Sequence, residues 1–258
     1  MTVRLRLRTS GVWAALAALL LLPGIASAQA AAPEPPANAE FFLGRPHGAL
    51  AIKGGWLFAA THSDLYDFVT RELTLERKAF NAPVVGGELS FALGSRVDVV
   101  AGIEGSRSST GSEYRNFVDN RNAAIAQTTE KQEVGISASV RMALLPRGQR
   151  VSRFAWIPRT VTPYVGAGAG GVKYEFKQYG SFVDFATSRV FDDTFTSDGW
   201  APSAHLLAGA DVRLYRRIYL TLESRYTWSH AALSSDFVGF APLDLSGLRL
   251  SSGLQLVF

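Results

Sequence analysis

The chain of 258 residues contains no cysteine. A disulfide scaffold is therefore excluded, and so is a lipid anchor attached through an N-terminal cysteine. Histidine is also scarce, with four residues, and no grouping of histidines or carboxylates has the spacing of a zinc site. The sequence therefore predicts neither a metal nor a cofactor.

Long apolar runs and a large net charge are lacking as well. After residue 28 no run approaches the roughly 18 apolar residues that a transmembrane helix needs. The full chain has 26 basic and 22 acidic residues, a net charge of +4, and three of the basic residues lie in the predicted signal peptide described next. The remaining charge is close to zero, so the composition gives no reason to expect a nucleic-acid partner.

Residues 1–28 have the pattern of a cleaved secretory signal peptide. An arginine-rich start and an apolar run over 12–22 precede Ala26-Ser27-Ala28, which matches the A-x-A cleavage site. Residues 29–47 are rich in proline and alanine and are expected to form an extended periplasmic segment. Residues 48–258 have a length that suits one all-β domain.

Eight segments alternate between apolar and polar side chains with the period of two that is typical of β-strands. The last segment is the clearest, because four leucines and the final residue, Phe258, share one parity. The predicted strands are Gly48–Phe58, Val84–Leu93, Val97–Gly105, Gln132–Leu144, Thr162–Phe176, Trp200–Leu214, Ile218–Trp228 and Gly247–Phe258.

The charged residues of these segments are assigned to the parity opposite to the apolar side chains. An apolar face without charge suits contact with lipid, and a polar face then suits the lumen of a barrel. Seven acids and six bases nearly balance, which favours a lumen filled by ion pairs over a pore lined with one sign of charge. The predicted polar network of the lumen comprises Lys53, Glu88, Asp98, Glu104, Glu133, Arg141, Lys173, Glu175, Asp211, Arg213, Glu223, Arg225 and Arg249.

Short turns and long loops alternate along the chain. Gly94–Arg96 and Tyr215–Arg217 are short, as periplasmic turns are in outer-membrane barrels. One link on the predicted periplasmic side, 145–161, is long and contains four arginines at positions 147, 150, 153 and 159. The predicted extracellular loops are 59–83, 106–131, 177–199 and 229–246.

Two strands and the terminal residue carry a family resemblance. Thr162-Pro-Tyr-Val-Gly-Ala-Gly-Ala-Gly-Gly171 resembles a strand of small outer-membrane barrels of the OmpA/OmpX/OmpW type, and Leu222–Trp228 resembles their penultimate strand. Phe258, with Leu254 and Leu256, resembles the aromatic insertion signal of such proteins. The resemblance implies an all-β fold, an eight-stranded antiparallel up-and-down transmembrane barrel in the outer membrane of a Gram-negative envelope. It also implies outer-membrane lipid, lipopolysaccharide and the outer-membrane assembly machinery as partners of a monomer.

The function stays open among several classes, because this fold hosts many roles. A structural or surface-interaction role without catalysis is expected. A lipid-modifying hydrolase is an alternative, since related lipid A deacylases carry His-x-Ser after an Arg-aromatic pair, but Trp228 and His230 stand at those positions here. A porin-like conduit for ions or hydrophobic molecules is another alternative. A secreted water-soluble barrel would need an apolar interior, which the predicted lumen charges oppose.

Three further patterns have a structural interpretation. Gly166, Gly168 and Gly171 match G-x-G-x-x-G, but a predicted strand follows them where a dinucleotide site needs a helix, so crowding in a curved strand is favoured. His205 is expected to be a hydrogen-bonded residue of the lumen. The aromatic loop segments 64–68, 115–120 and 182–185 are expected to pack on one another rather than to act as an adhesive.

Overall fold

A computed structural model describes residues 42–152 and 155–258. The predicted signal peptide and most of the proline- and alanine-rich segment lie outside these residues, as does Arg153. In the described part, no helix is long and apolar enough to cross a membrane.

Eight long strands pair antiparallel around a closed barrel, as predicted. The strands in chain order are β1 (Phe42–Leu43), β2 (Gly48–Ala59), β3 (Ala82–Ala92), β4 (Val97–Val118), β5 (Ala124–Ala143), β6 (Gly148–Arg150), β7 (Ala155–Pro158), β8 (Val161–Asp184), β9 (Arg189–Tyr215), β10 (Ile218–Ala231), β11 (Leu243–Asp244) and β12 (Gly247–Val257). The pairing runs β2-β3-β4-β5-β8-β9-β10-β12, and β12 then pairs with β2, where Leu250 lies opposite Trp56.

The apolar parity of the barrel strands points outward. Ile52 on β2 and Leu254 on β12 lie side by side with 68% and 58% of their surface exposed. Ile136 on β5 and Leu206 on β9 are exposed in the same way. Such a surface suits hydrocarbon, and a closed barrel pairs the backbone of every strand on both sides, as the membrane interior requires. We call this surface the apolar belt.

Two hairpins continue beyond the apolar belt, further than the sequence pattern predicts. The strands β4 and β8 were expected to end at Gly105 and Phe176 but extend to Val118 and Asp184. The end of the barrel that carries these hairpins and the long connections is called the loop end. The opposite end, which carries the short connections 93–96 and 216–217, is called the turn end.

Above the apolar belt the outward face of these hairpins becomes polar. Gln132 on β5 pairs with Glu175 on β8, and Arg107 on β4 forms an ion pair with Glu130 at 2.9 Å. Lys173 and Glu175 both lie exposed on this outward face. Their assignment to the lumen was therefore wrong, because β8 has left the apolar belt at this point and its outward side chains meet water.

The inward face of the two hairpins packs against the loops. The helix α1 (Asp64–Glu72) has acidic residues in its first turn and Arg71 in its last, which suits the helix dipole. It buries Tyr66 and Val69 against the hairpins. This cluster, which we call the loop core, contains Leu65, Tyr66, Val69, Leu73, Leu75, Phe80, Tyr114, Ile125, Val172, Tyr174, Phe176, Val183, Ala201, Ala231, Phe237, Leu243 and Leu245.

A small sheet of β1, β7 and β6 lies at the turn end. Its strands come from the segment before the barrel and from the long link between β5 and β8. Phe42 pairs with Trp156 and stacks on its ring with a centroid separation of 5.8 Å. Trp156 also lines a cavity of the lumen, so this sheet, called the turn-end sheet, contacts the interior of the barrel.

Candidate functional site

Five side chains from β2, β3, β5 and β10 meet in the middle of the lumen. The carboxylate of Glu223 accepts bonds from Lys53 at 2.9 Å and from Arg141 and Arg225 at 2.8 Å each. Glu88 pairs with the same three cations, and its bond from Arg225 is 2.6 Å long. All five residues are buried. We call this group the central network.

A second group of ion pairs lies nearer the loop end. Arg249 bridges Glu104 at 3.1 Å and Glu133 at 3.0 Å, and Arg225 links Glu104 to the central network at 3.6 Å. Lys131 completes the group with a contact of 2.8 Å to Glu133 and is itself buried. Lys131 was not among the predicted lumen residues, because the predicted strand began one residue after it.

Near the turn end, the remaining predicted residues lie on the inward parity. Asp98 is buried and binds Arg147 of the long link through two bonds, one of 2.6 Å. Asp211 lines a cavity of about 60 Å³ that also contacts Arg141. Arg213 lies two residues after Asp211 on β9 and is half-buried. The structure thus joins eight of the predicted charges by ion pairs with one another. It pairs Asp98 with Arg147 instead, and it leaves Lys173 and Glu175 outside the lumen.

Glycines on β8 and β9 make room for side chains in the lumen. The hydroxyl of Tyr164 donates to Glu223 at 3.1 Å, and the Arg141 guanidinium lies 4.9 Å from the Tyr164 ring centre. A Cβ atom on Gly209 would approach the Tyr164 hydroxyl to 2.5 Å. The G-x-G-x-x-G segment lies within β8, which fits crowding in a curved strand rather than a phosphate loop.

Serine and histidine side chains occur in two places that bear on the hydrolase alternative. His205 shares a hydrogen bond of 2.8 Å with the Ser139 hydroxyl, and both residues are buried in the lumen. Ser229 is buried and donates to the Pro202 carbonyl, whereas its neighbour His230 is exposed. Ser234 donates to the carbonyl of Thr196. Ser229 and His230 therefore point to opposite faces, as expected for adjacent residues of a strand.

Asp244 connects two loops at the loop end. Its carboxylate accepts bonds from the backbone N–H groups of His62 at 3.1 Å and Ser246 at 2.9 Å. The rings of His62 and His230 lie 3.3 and 3.7 Å from its oxygens. Burial alone would raise the pKa of Asp244, but the hydrogen bonds from Ser246 and His62 lower it below its usual value.

Replacing Asp244 with asparagine is expected to loosen these loops at neutral pH. A carboxylate with a depressed pKa stabilises the fold above its unfolded pKa of about 3.9, and the contribution is lost as the pH falls through the folded pKa. We expect a local loss of roughly 1–2 kcal/mol at pH 7 that disappears in acid. Hydrogen exchange of residues 60–63 and 243–246 measures the change. Asp198→Asn, on the exposed outward face, is the matched control, and equal exchange in both variants would contradict the assignment.

The described residues contain no group of three or more histidines, aspartates or glutamates placed to hold a metal ion.

The closed barrel, its apolar belt and its polar interior together are the architecture of an outer-membrane protein. The chain is an integral eight-stranded β-barrel of the outer membrane. Its outward leucine, isoleucine and valine side chains contact membrane lipid.

Comparisons with known proteins find likeness only at the level of solved structures. No protein-family model matches the chain, and no curated protein matches it. Neisserial surface protein A is 11% identical with a TM-score of 0.48, over 82% of this chain and 96% of that one. The outer-membrane protein OprG of Pseudomonas aeruginosa is 11% identical with a TM-score of 0.45, over 84% and 99%. The attachment invasion locus protein Ail of Yersinia pestis is 14% identical with a TM-score of 0.38, over 81% and 99%. At these values the likeness assigns neither a family nor an activity.

Proposed function

We propose that this protein is a closed, non-catalytic outer-membrane barrel that binds extended segments of other proteins along an open strand edge at its loop end. The loop end is taken to face the cell exterior, and the turn end the periplasm, as short turns do in this class. The observation that carries the proposal is the edge of β9 above the apolar belt.

Within the described residues, β10 pairs with β9 only from Ser203 toward the turn end. Above Ser203, Thr196 receives a bond from Ser234 at its carbonyl, and Asp236 accepts from its N–H at 3.0 Å. Thr194 and Asp192 direct their backbone groups to the same edge, because strand residues alternate in direction. The N–H group of Thr194 donates to the Asp193 carboxylate at 2.7 Å, so Asp192 provides the donor of this edge. The edge from Val190 to Thr194 is exposed, and such an edge is a template for adding a strand.

Side chains beside this edge favour a partner strand with both apolar and basic residues. Phe191 and Val190 are each 40% exposed, and Phe185 at the hairpin tip is 51% exposed. Asp192 and Asp193 follow Phe191 along β9 and are exposed. A second copy of the same edge would place like charges together, so a different chain carrying lysine or arginine is the better complement.

The lumen supports a role at the surface rather than in transport. Three cations and two carboxylates of the central network lie in the middle of the lumen, and the cavities beside them are about 20 and 60 Å³, which supports a filled lumen. An ion with its hydration shell needs a continuous path wider than such spaces. Purified protein in planar bilayers is expected to give no stable current of one size, and such a current would favour the conduit alternative.

Strand addition can be tested by removing one backbone donor. Asp192→Pro deletes an N–H group that faces the open edge, and proline is tolerated at such positions. Heptapeptides selected from a displayed library on the protein in nanodiscs are expected to bind at least about tenfold more weakly to Asp192→Pro. Asp192→Asn keeps the N–H group and removes the charge, so it separates backbone pairing from electrostatics. Failure to select any peptide, or equal binding to Asp192→Pro, would contradict the proposal.

A further inference from the structure

Arginine is concentrated at the turn end of the barrel. The acids there are Asp98, which is already bound to Arg147, and Asp211, which faces the lumen cavity. The loop end is more acidic, as in the β8–β9 hairpin, where Asp184 lies opposite Arg189 and Asp192 and Asp193 follow on β9. The arginines described at the turn end are Arg45, Arg96, Arg147, Arg150, Arg159, Arg213, Arg216 and Arg217.

Several of these arginines border the apolar belt directly. Arg216 and Arg217 form the whole connection between β9 and β10, with the exposed side chains of Tyr215 and Ile218 on either side. Arg96 lies in the connection between β3 and β4, three residues after Leu93, which is 71% exposed. Side chains that follow the last lipid-facing residues of a strand lie at the depth of the lipid headgroups.

The turn-end sheet adds exposed apolar side chains to this charge. Leu43 on β1 is 85% exposed, and Val151, next to Arg150, is 62% exposed. Arginine interleaved with single apolar side chains suits the boundary between headgroups and acyl chains. A soluble acidic polymer would neutralise the arginines but would give these apolar side chains nothing to contact.

The basic residues at this end are all arginine. A guanidinium donates two parallel bonds to a phosphate, and its flat face can stack on an aromatic ring at the same time. The Arg217 guanidinium lies 5.9 Å from the ring centre of Phe42 and so is held at the rim of the barrel. Lysine would offer a point charge without this geometry.

We propose that the turn end is a binding surface for the phosphodiester headgroups of anionic phospholipids. The arginines bind the phosphates, and the exposed apolar residues of the turn-end sheet contact the adjoining acyl chains. Only the identity of the leaflet rests on the orientation given under the proposed function. The binding itself depends on neither the strand edge nor the closed lumen.

The test compares lipid binding by the full chain and by a variant with four exposed arginines removed: Arg96→Gln, Arg150→Gln, Arg216→Gln and Arg217→Gln. The protein is placed in phosphatidylcholine nanodiscs, and phosphatidylglycerol is titrated in and counted by native mass spectrometry. Each basic residue near a charged surface changes binding by about fivefold, so the variant is expected to lose at least about tenfold in apparent affinity. The gel shift on heating checks that the variant is folded, and Arg216→Gln with Arg217→Gln alone serves if it is not.

A matched control removes the same kind of charge at the other end. Arg71→Gln, Arg115→Gln, Arg121→Gln and Arg189→Gln together remove four exposed arginines of the loop-end connections and hairpins. They are expected to leave phosphatidylglycerol binding unchanged. An equal loss in this control would show a net-charge effect and overturn the proposal, as would equal binding by the turn-end variant. Inorganic polyphosphate added to phosphatidylcholine nanodiscs is a further arm. Binding of polyphosphate that needs the turn-end arginines, without selective binding of phosphatidylglycerol, would assign the surface to a soluble polyanion instead.

Discussion

Glu223→Gln is expected to lower the free energy of unfolding by about 3–5 kcal/mol. Glu223 is buried and accepts bonds from Lys53, Arg141 and Arg225. Removing its charge leaves three buried cations facing Glu88 alone. Glutamine has the same shape and can still accept hydrogen bonds, so the loss measures the uncompensated charge rather than a cavity.

Unfolding by urea in lipid vesicles, followed by tryptophan fluorescence, measures this loss. Glu175→Gln is the matched control, because Glu175 is exposed on the outward face of β8. It is expected to change the unfolding free energy by less than about 0.5 kcal/mol. Equal stability of Glu223→Gln and the parent would mean that the central network is open to water and that the lumen is not filled as proposed.

Neutralising the second carboxylate of the central network tests the same idea. In Glu88→Gln the same three cations still have the Glu223 carboxylate as a partner. Glu88→Gln and Glu223→Gln should therefore have similar free energies of unfolding. The double variant should lose less unfolding free energy than the sum of the two single losses, because the lysine and arginine side chains can rearrange together. Coupling of this kind is expected only where residues share partners, which Glu88 and Glu223 do.

The membrane-spanning part of the fold could be predicted from the sequence because two solvents dictate its pattern. Lipid outside and a polar lumen inside require strict alternation, as in Ile52 beside Lys53 and Leu250 beside Arg249. The eight strands, their order and the barrel closure therefore follow from period and loop length. The exact pairing partners in the lumen could not follow, because Arg249 meets Glu133 only after the register of the whole barrel is fixed.

The alternating pattern led to a wrong lumen assignment where β8 leaves the apolar belt. Along β8 the aromatic residues Tyr174 and Phe176 face inward, against the loop core, and Lys173 and Glu175 face outward into water. The alternation persists but its meaning inverts, so a rule that places charge in the lumen fails beyond the apolar belt. The turn-end sheet was missed for another reason, since Phe42 and Trp156 are far apart in sequence and pair only in the fold.

The helix in the first long loop has a sequence signal of its own, with helical instead of strand spacing. Leu65, Tyr66, Val69 and Leu73 recur at helical spacing, and all four are buried. Asp64 opens this segment, where an acidic residue favours a helix start. The aromatic segments 64–68, 115–120 and 182–185 were expected to pack on one another, and the rings of Phe68 and Phe185 lie 6.2 Å apart.

Phe176→Ala is expected to release the loops while the barrel stays folded. Phe176 is fully buried in the loop core, and its ring centre lies 5.6 Å from that of Phe237 and 6.4 Å from those of Tyr66 and Phe80. Removing a buried phenylalanine ring costs about 3–5 kcal/mol. Because the loop core lies above the apolar belt, this cost appears as local opening of α1 and the loops rather than as global unfolding.

Hydrogen exchange of residues 64–80 and proteolysis of the loops measure the opening, and the gel shift on heating reports the barrel. Tyr179→Ala is the matched control on the same strand, because Tyr179 is 37% exposed on the outward face. Planar-bilayer recording of Phe176→Ala then shows whether the central network or the loop core blocks the passage of ions. If the central network closes the lumen, opening the loop core leaves the conductance at background, whereas a current in this variant alone would make the loops the only seal.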